Sequence, residues 1–369
     1  MPIRYAPQPT QDGIDPGLAA AGHRGWASGV RGANMTAAMV DEPDAAAAAA
    51  WLHATGTLSL SRPRVMGVVN LTPDSFSDGG VLVAEGADTP NVSVAVRRVR
   101  QLVAEQADII DLGGESTRPG SDPVSDARQL RRVLPVIERL AAGPDAVDVP
   151  LSIDTRSAAV AEAAMRAGAS IINDVSGLSD PAMIAVAARS NAGLVVSHLR
   201  GEPRTMQDDV HFSDLLVEVG EALCAAVTRA VDGGVERARI VVDPGVGFGK
   251  SAEHSAALVA ASAWLRDATG CPVLIGASRK SFMRSALASS GASDAAGRKA
   301  NPRAHDDARL VGSLAAAVVA AERGAAVVRV HDVEHTVHAL AVAGMVAQSW
   351  VSVARPPLHA RTAAGEDAR

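Results

Sequence analysis

Aromatic residues make up only 2 % of this 369-residue chain: four Phe, four Trp and one Tyr. A core with so few rings has to be filled by aliphatic side chains, so a ring placed in a loop asks for another explanation. Cysteine is almost absent, with Cys224 and Cys271 alone, which argues against a disulfide framework or a Cys-based zinc site and fits a reducing cytoplasm. Lysine is nearly as scarce: of 35 basic residues only Lys250, Lys280 and Lys299 are lysines. No apolar stretch approaches the ~20 residues of a membrane span, and no basic segment leads into the apolar core of a secretory signal. A formal net charge of −6 gives no electrostatic footprint for nucleic acid. With no His-Glu-x-x-His, Cys-x-x-Cys or EF-hand pattern, a protein-caged metal is not expected.

What is present is a repeat of form. Eight apolar runs rich in Val, Ile and Leu each end in polar residues, at Asn70, Asp111, Asp154, Asn173-Asp174, Ser197-His198, Asp243, Ser278-Arg279-Lys280 and Arg329-Val330-His331, and a helical stretch follows each one. Alternating βα units favour a parallel sheet, and eight of them favour an α/β fold of the closed (β/α)8 barrel type, with the strand ends converging on one face. Any single Asp or Asn there reads equally well as a helix cap. The barrel domain is expected at 57–350, after an Ala-, Gly- and Pro-rich extension, 1–56, expected to be mostly disordered, and before a flexible tail, 351–369.

The strand ends describe a ligand. Asp154, Asn173 and Asp243, with Asp111, offer carboxylates and an amide suited to a ring bearing guanidine-like N–H donors. Two of the three lysines, Lys250 and Lys280, follow strands, where a compact ammonium fits beside a ring; Lys250 is as readily structural as functional. Three of the four Phe, namely Phe76, Phe248 and Phe282, lie just beyond strands, as flat-ligand stacking would require, although Phe282 also suits a core position. Arg329 and His331 share one face of the last strand and form an anion site where barrels often hold phosphate; a structural His331–Asp332 pair is the alternative. The loops after the first two strands, 70–80 and 111–120, carry glycines and hydroxyls suited to closing over a ligand. The glycine run 245–249 has the wrong spacing for dinucleotide binding.

Taken in order, these motifs resemble the dihydropteroate synthases, the sulfonamide-inhibited enzymes of folate biosynthesis. The resemblance runs from about Thr57 to Val346, through Met66-Gly-Val-Val-Asn-Leu-Thr-Pro-Asp-Ser-Phe-Ser-Asp-Gly-Gly80, Asp111 to Gly120, Ile153-Asp154-Thr155, Ile172-Asn173-Asp174, Asp243-Pro-Gly-Val-Gly-Phe-Gly-Lys250, Ser278-Arg-Lys-Ser281 and Arg329-Val-His-Asp332. It implies condensation of 6-hydroxymethyl-7,8-dihydropterin diphosphate with 4-aminobenzoate, assisted by Mg2+, in a cytoplasmic homodimer. Carried over residue by residue, the pterin lies against Asp111, Asp154, Asn173, Asp243 and Lys280, and the diphosphate against Asn70, Thr117, Arg329 and His331, with Asn70 ligating Mg2+. The aminobenzoate meets Phe76, Thr117, Arg118, Pro119, Phe248 and Ser281. Asp154, Asp243, Lys280, Arg329 and His331 are the residues expected to carry the chemistry.

Two departures stand out. Where the family commonly has Met-His-Met, this chain has Ser197-His198-Leu199, removing a polarizable thioether near the pterin floor. The stretch 288–307 is longer and more polar than expected. Rival readings are another pterin-binding barrel, such as a methyltransferase, or a catalytically silent pterin-binding paralogue. A dimer would form through barrel helices, with the Ala-rich segment Leu310 to Arg323 as candidate.

Overall fold

The structure, a computed structural model, describes residues 50–72, 89–118, 120–202, 204–208, 210–283, 285 and 302–352, the side chains of 302–307 and 350–352 excepted. The expected disordered extension and tail, the tip of the first loop with Phe76, Pro119 of the second, and most of the polar stretch 288–307 therefore lie outside the described residues. From Pro302 that stretch is helical.

Strands β1 (Ala50–His53) and β2 (Gly56–Ser59) form an antiparallel hairpin. Eight parallel strands follow: β3 (Arg64–Asn70), β4 (Ile109–Gly113), β5 (Leu151–Asp154), β6 (Ile171–Asp174), β7 (Gly193–Ser197), β8 (Ile240–Asp243), β9 (Leu274–Ile275) and β10 (Val327–Val330). Their order runs β8-β7-β6-β5-β4-β3-β10-β9. The circle is nearly closed: β8 reaches the β9 segment through one parallel bridge, Val242 to Val273. Nine helices are described around the sheet: α1 (Val92–Ala104), α2 (Asp126–Ala141), α3 (Ala158–Ala167), α4 (Ala182–Ser190), α5 (Leu215–Asp232), α6 (Ala252–Ala260), α7 (Ser262–Thr269), α8 (Pro302–Glu322) and α9 (Val333–Ser352).

The caps explain where several helices begin. Asn91 accepts from the Val94 amide at 3.2 Å, Ser157 from Val160 at 3.3 Å, and Asp214 from Leu216 and Val217, each pairing an amide that a helix N-terminus leaves orphaned. None of these caps is a strand-ending acid. Asp111, Asp154 and Asp243 hold none of these cap positions; Asp111 and Asp154 instead form ion pairs with Arg329, the other ordinary use of such acids, and Asp174 holds a turn, accepting from Ser176 and Leu178.

Alternation along the strands sorts side chains into two cores. One set, including Ile110, Ile153, Ile172, Val196 and Val242, faces the helices. The other, Met66, Ile109, Ile171, Val195, Val241, Leu274 and Val327, fills the barrel interior together with Trp51. Residues two positions further along the same strands, Asp111, Asn173, Ser197, Asp243 and Arg329, therefore also point inward, one layer nearer the C-terminal mouth.

Trp51 corrects the expected domain boundary. Drawn at residue 57, that boundary runs through the hairpin, because β1 belongs to the barrel's packing. The Trp51 indole is fully buried and donates to the Arg239 carbonyl at 2.8 Å, and a Cβ on Gly193 would come within 3.1 Å of the His53 side chain. In a chain so poor in rings, this one plugs the barrel end opposite the strand-end polar groups. At the other limit α9 runs to Ser352, past the boundary set at 350, a difference within the usual fraying of a helix end.

Candidate active site

Asp111, on β4, is completely buried, and its Oδ2 accepts from Asn173 Nδ2 of β6 at 3.0 Å and from Arg329 Nε of β10 at 2.6 Å. Arg329 Nη2 donates to Asp154 Oδ2, at the end of β5, at 2.7 Å. Three strands are thereby joined through one guanidinium, and a fourth, β6, is tied to them through Asp111. Asp243, ending β8, accepts the Gly245 amide at 2.7 Å. The inward position after β9 is Gly276, where a Cβ would lie 3.9 Å from both Arg329 Cβ and Asp243 Oδ2. Its missing side chain leaves room between base and acid.

The turn after β8 is fixed by backbone crowding. Gly245 has φ +67°, and a Cβ there would fall 1.9 Å from the His198 carbonyl oxygen, so only glycine fits. This turn presents the Val246 carbonyl, which accepts from Lys280 Nζ, and the half-buried Phe248 ring, whose centroid lies 4.1 Å from the same ammonium. Lys250 resolves to the structural side of its two readings: its buried Nζ donates to the Phe248 carbonyl at 2.9 Å and meets His198 Nδ1 at 2.9 Å.

Burial dominates the electrostatics. It raises the Asp154 carboxyl to about 7, against the opposing pull of Arg329 and with help from the acids Asp111, Glu115 and Asp174. Arg329 is raised as well, but here the charged form is the one favoured: burial disfavours its charge, and Asp111 and Asp154 outweigh this. The asymmetry follows from numbers of partners, since the base sits between two acids while Asp154 has one base and several acids. Asp243 is raised by burial in spite of Lys280, and Lys280 is lowered by burial to about 8 in spite of Asp243.

His331 corrects one expectation. Burial, then the charges of Arg329 and Arg279, lower it to about 3, so at neutral pH it is a neutral imidazole and the pair with Arg329 carries one charge. Its Nδ1 lies 3.1 Å from Ser278 Oγ, which also accepts the His331 amide at 3.3 Å. The alternative pairing with Asp332 is not formed, because Asp332 receives Arg279 Nε at 3.0 Å.

Of the residues expected at the site, Asp111, Asp154, Asn173, Asp243, Lys280, Arg329 and His331 gather at one mouth. Asn70 joins them: a Cβ on Gly113 would lie 3.7 Å from Asn70 Oδ1 and 3.8 Å from Asp154 Oδ2. Thr117 is half-buried, while Arg118 is exposed, and its charge acts on His331. Ser281 is exposed directly after Lys280. Phe76 and Pro119 lie outside the described residues. Sequence reasoning missed Ser278 as the partner of His331, although the residue had been noted as a strand ending, and it missed Glu115 and Arg156, whose pairing across two loops leaves no local pattern.

With this geometry established, comparison with known proteins is direct. Residues 66–331 match the family described as pterin binding enzyme. The chain belongs to that family of barrels. It is 40 % identical to the dihydropteroate synthase of Escherichia coli K12 over 293 residues, covering 79 % of this chain and 94 % of that one. Among solved structures, Xanthomonas albilineans dihydropteroate synthase with 4-aminobenzoic acid superposes with a TM-score of 0.66 at 40 % identity, covering 81 % of this chain and 96 % of that one. Burkholderia cenocepacia dihydropteroate synthase complexed with 7,8-dihydropteroate gives 0.66 at 38 % identity, covering 82 % and 98 %. Within the pterin-binding enzymes, the chain belongs to the dihydropteroate synthases.

Proposed function

We propose that this chain condenses 6-hydroxymethyl-7,8-dihydropterin diphosphate with 4-aminobenzoate to give 7,8-dihydropteroate and diphosphate, the compounds bound by its relatives being the support for the small-molecule classes. The observation that carries the reading is the convergence of Asp111, Asp154, Asn173 and Asp243 on one mouth with Lys280 and Arg329. Acceptors arranged in this way match the N–H edge of a pterin, and Lys280 over the Phe248 ring lies beside it.

The reaction is a substitution at the pterin methylene carbon. The C–O bond breaks early and its electron pair leaves with diphosphate; the aniline nitrogen then forms the new C–N bond and gives up a proton. Asp154 and Asp243 offset the positive charge that spreads into the ring, while Arg329, the neutral N–H of His331, Asn70 and Thr117 receive the tail. Thr117, Arg118, Phe248 and Ser281 form the aminobenzoate side; Phe76 and Pro119, expected there too, lie outside the described residues. Mg2+ fits the donors present. Asn70 supplies a hard amide oxygen beside the space at Gly113. Such a site suits an ion carried in by a diphosphate, whose negative charge the ion neutralises when bound.

The homodimer is assigned to the face shared by α8 and α9. There Leu314, Val318, His338, Val342 and Val346 line a groove of about 1000 Å3, and Val342, Met345 and Val346 are 58, 64 and 62 % exposed. An apolar surface of this kind on helices of small side chains suits a second copy of itself. No described helix is long and apolar enough to cross a membrane. Formation of dihydropteroate from the two substrates, with Mg2+ and with excess chelator, is the test. Activity that needs Mg2+ supports the reading; tight pterin binding without product is the outcome for a silent paralogue, and methyl transfer the outcome for a methyltransferase.

A further inference from the structure

The second loop leaves β4 at Gly114 and rejoins the fold at Val124, just before α2, and both ends are locked. Gly114 O accepts from Arg132 Nη1 of α2 at 2.7 Å. The Val124 amide donates to Glu115 Oε1 at 2.9 Å, and its carbonyl accepts from Gln129 Nε2 at 3.0 Å. Those two side chains are in turn held by consecutive residues beyond Asp154. Arg156 forks onto Glu115 with Nη2–Oε1 at 3.1 Å and Nε–Oε2 at 3.3 Å, and Thr155 Oγ1 donates to Gln129 Oε1 at 3.0 Å. Inside the loop, Ser121 Oγ bonds the carbonyls of Ser116 at 2.6 Å and Arg118 at 2.7 Å. The loop is therefore a preset clip with a two-sided staple at its neck, and Thr117 and Arg118 stand on it.

We infer that Arg156 is a positioning residue for 4-aminobenzoate: by fixing Glu115, it holds the neck of the 115–124 loop so that Thr117 and Arg118 stand over the strand ends. The assignment rests on the proposed reaction, and its physical core is the contrast between the two acids Arg156 touches. Glu115 has a side chain only 5 % exposed and is gripped by a planar fork, the arrangement in which a guanidinium is not replaceable by an ammonium. Glu202, its other partner at 3.0 Å, is 75 % exposed, where solvent screens the pair. Displacement of a positioning loop by a fraction of an ångström weakens capture of the substrate it orients more than capture of a substrate that meets it at one residue.

The variants are Arg156→Ala, Arg156→Lys and the control Glu202→Ala, all in the full chain. Arg156→Ala raises KM for 4-aminobenzoate about tenfold and KM for the pterin diphosphate, which loses only the Thr117 contact to its tail, by a smaller factor, while the melting temperature falls because buried Glu115 loses its partner. Exchange of the Val124 amide, followed by mass spectrometry without substrates, accelerates in the same variant. Arg156→Lys falls between Ala and wild type, and Glu202→Ala is indistinguishable from wild type. An unchanged aminobenzoate KM in Arg156→Ala overturns the inference, as does a rise of both KM values by the same factor, or an equal effect of Glu202→Ala. A wild-type enzyme that forms no dihydropteroate refutes the reaction instead, and Val124 exchange with aminobenzoate calorimetry then decides the clip separately: unchanged exchange or unchanged affinity in Arg156→Ala overturns it.

Discussion

Replacing Asp154 by Asn keeps the volume and removes the charge, and the structure sets opposite signs for its effects on stability and on turnover. The carboxyl is held near 7 in the fold, against 3.8 for an ordinary aspartate, so the folded state binds this proton more tightly than the unfolded chain does. Its contribution is therefore most favourable below about pH 4, declines as pH rises towards about 7, and stays low above that. The full difference is on the order of 4 kcal/mol. Asn carries no such slope. It gives up the charged partner of Arg329 Nη2, but Arg329 keeps Asp111 at 2.6 Å. Urea titrations should show Asp154→Asn gaining on wild type by up to about 4 kcal/mol between about pH 4 and about pH 8. Turnover moves the other way: losing one preorganised contact to a developing charge costs about 10²- to 10³-fold, or roughly 3 to 4 kcal/mol. The acid limb of kcat/KM expected near 7 disappears in the variant. Steady-state dihydropteroate formation with both substrates saturating measures the loss. Turnover within about threefold of wild type, or a stability difference that does not change with pH, refutes the assignment.

Lys280, lowered to about 8, has to remain protonated to sit as a cation over Phe248, so kcat/KM should fall above about pH 8, and Lys280→Met should lower the rate and abolish that alkaline limb. Trp51→Ala empties the barrel end opposite the site and should lose about 3 to 5 kcal/mol in urea unfolding, with both KM values unchanged at temperatures where the protein stays folded. Val346→Asp places a charge in the groove between α8 and α9 and should convert the proposed dimer to monomer in light scattering; a dimeric mass kept in the variant refutes this face as the interface.

Periodicity made the barrel legible, because eight apolar runs with polar ends are a pattern a single strand cannot hide. The inward layer of Asp111, Asn173 and Asp243 was equally legible, since strand alternation and a shared terminus put them on one face before any contact is known. Three things were not. The hairpin plug lacked a signal because Trp51 follows an Ala-rich run of low complexity, and only its fit among Met66, Ile109 and Ile171 distinguishes it from a mobile segment. The charge state of His331 depends on Arg279 and Arg329 crowding a buried ring, a sum over neighbours distant in sequence. Arg156 carries no local signal, because its buried partner Glu115 lies 41 residues away in the sequence.

Arg329 ties these results to the chemistry. Without a ligand, its guanidinium pairs with both Asp111 and Asp154 and offsets part of their charge, which helps two buried carboxyl groups share the barrel mouth. In the proposed reaction the diphosphate tail competes for that same cation, drawing its charge outward from the two acids. Each increment of attraction to the leaving group thereby leaves Asp111 and Asp154 less compensated, at the moment when positive charge accumulates on the ring between them. One base placed between two acids and a tail site thus stabilises both products of bond cleavage. A neutral His331 suits that arrangement, because it donates to the tail without adding a second fixed cation that would hold the acids' field in check.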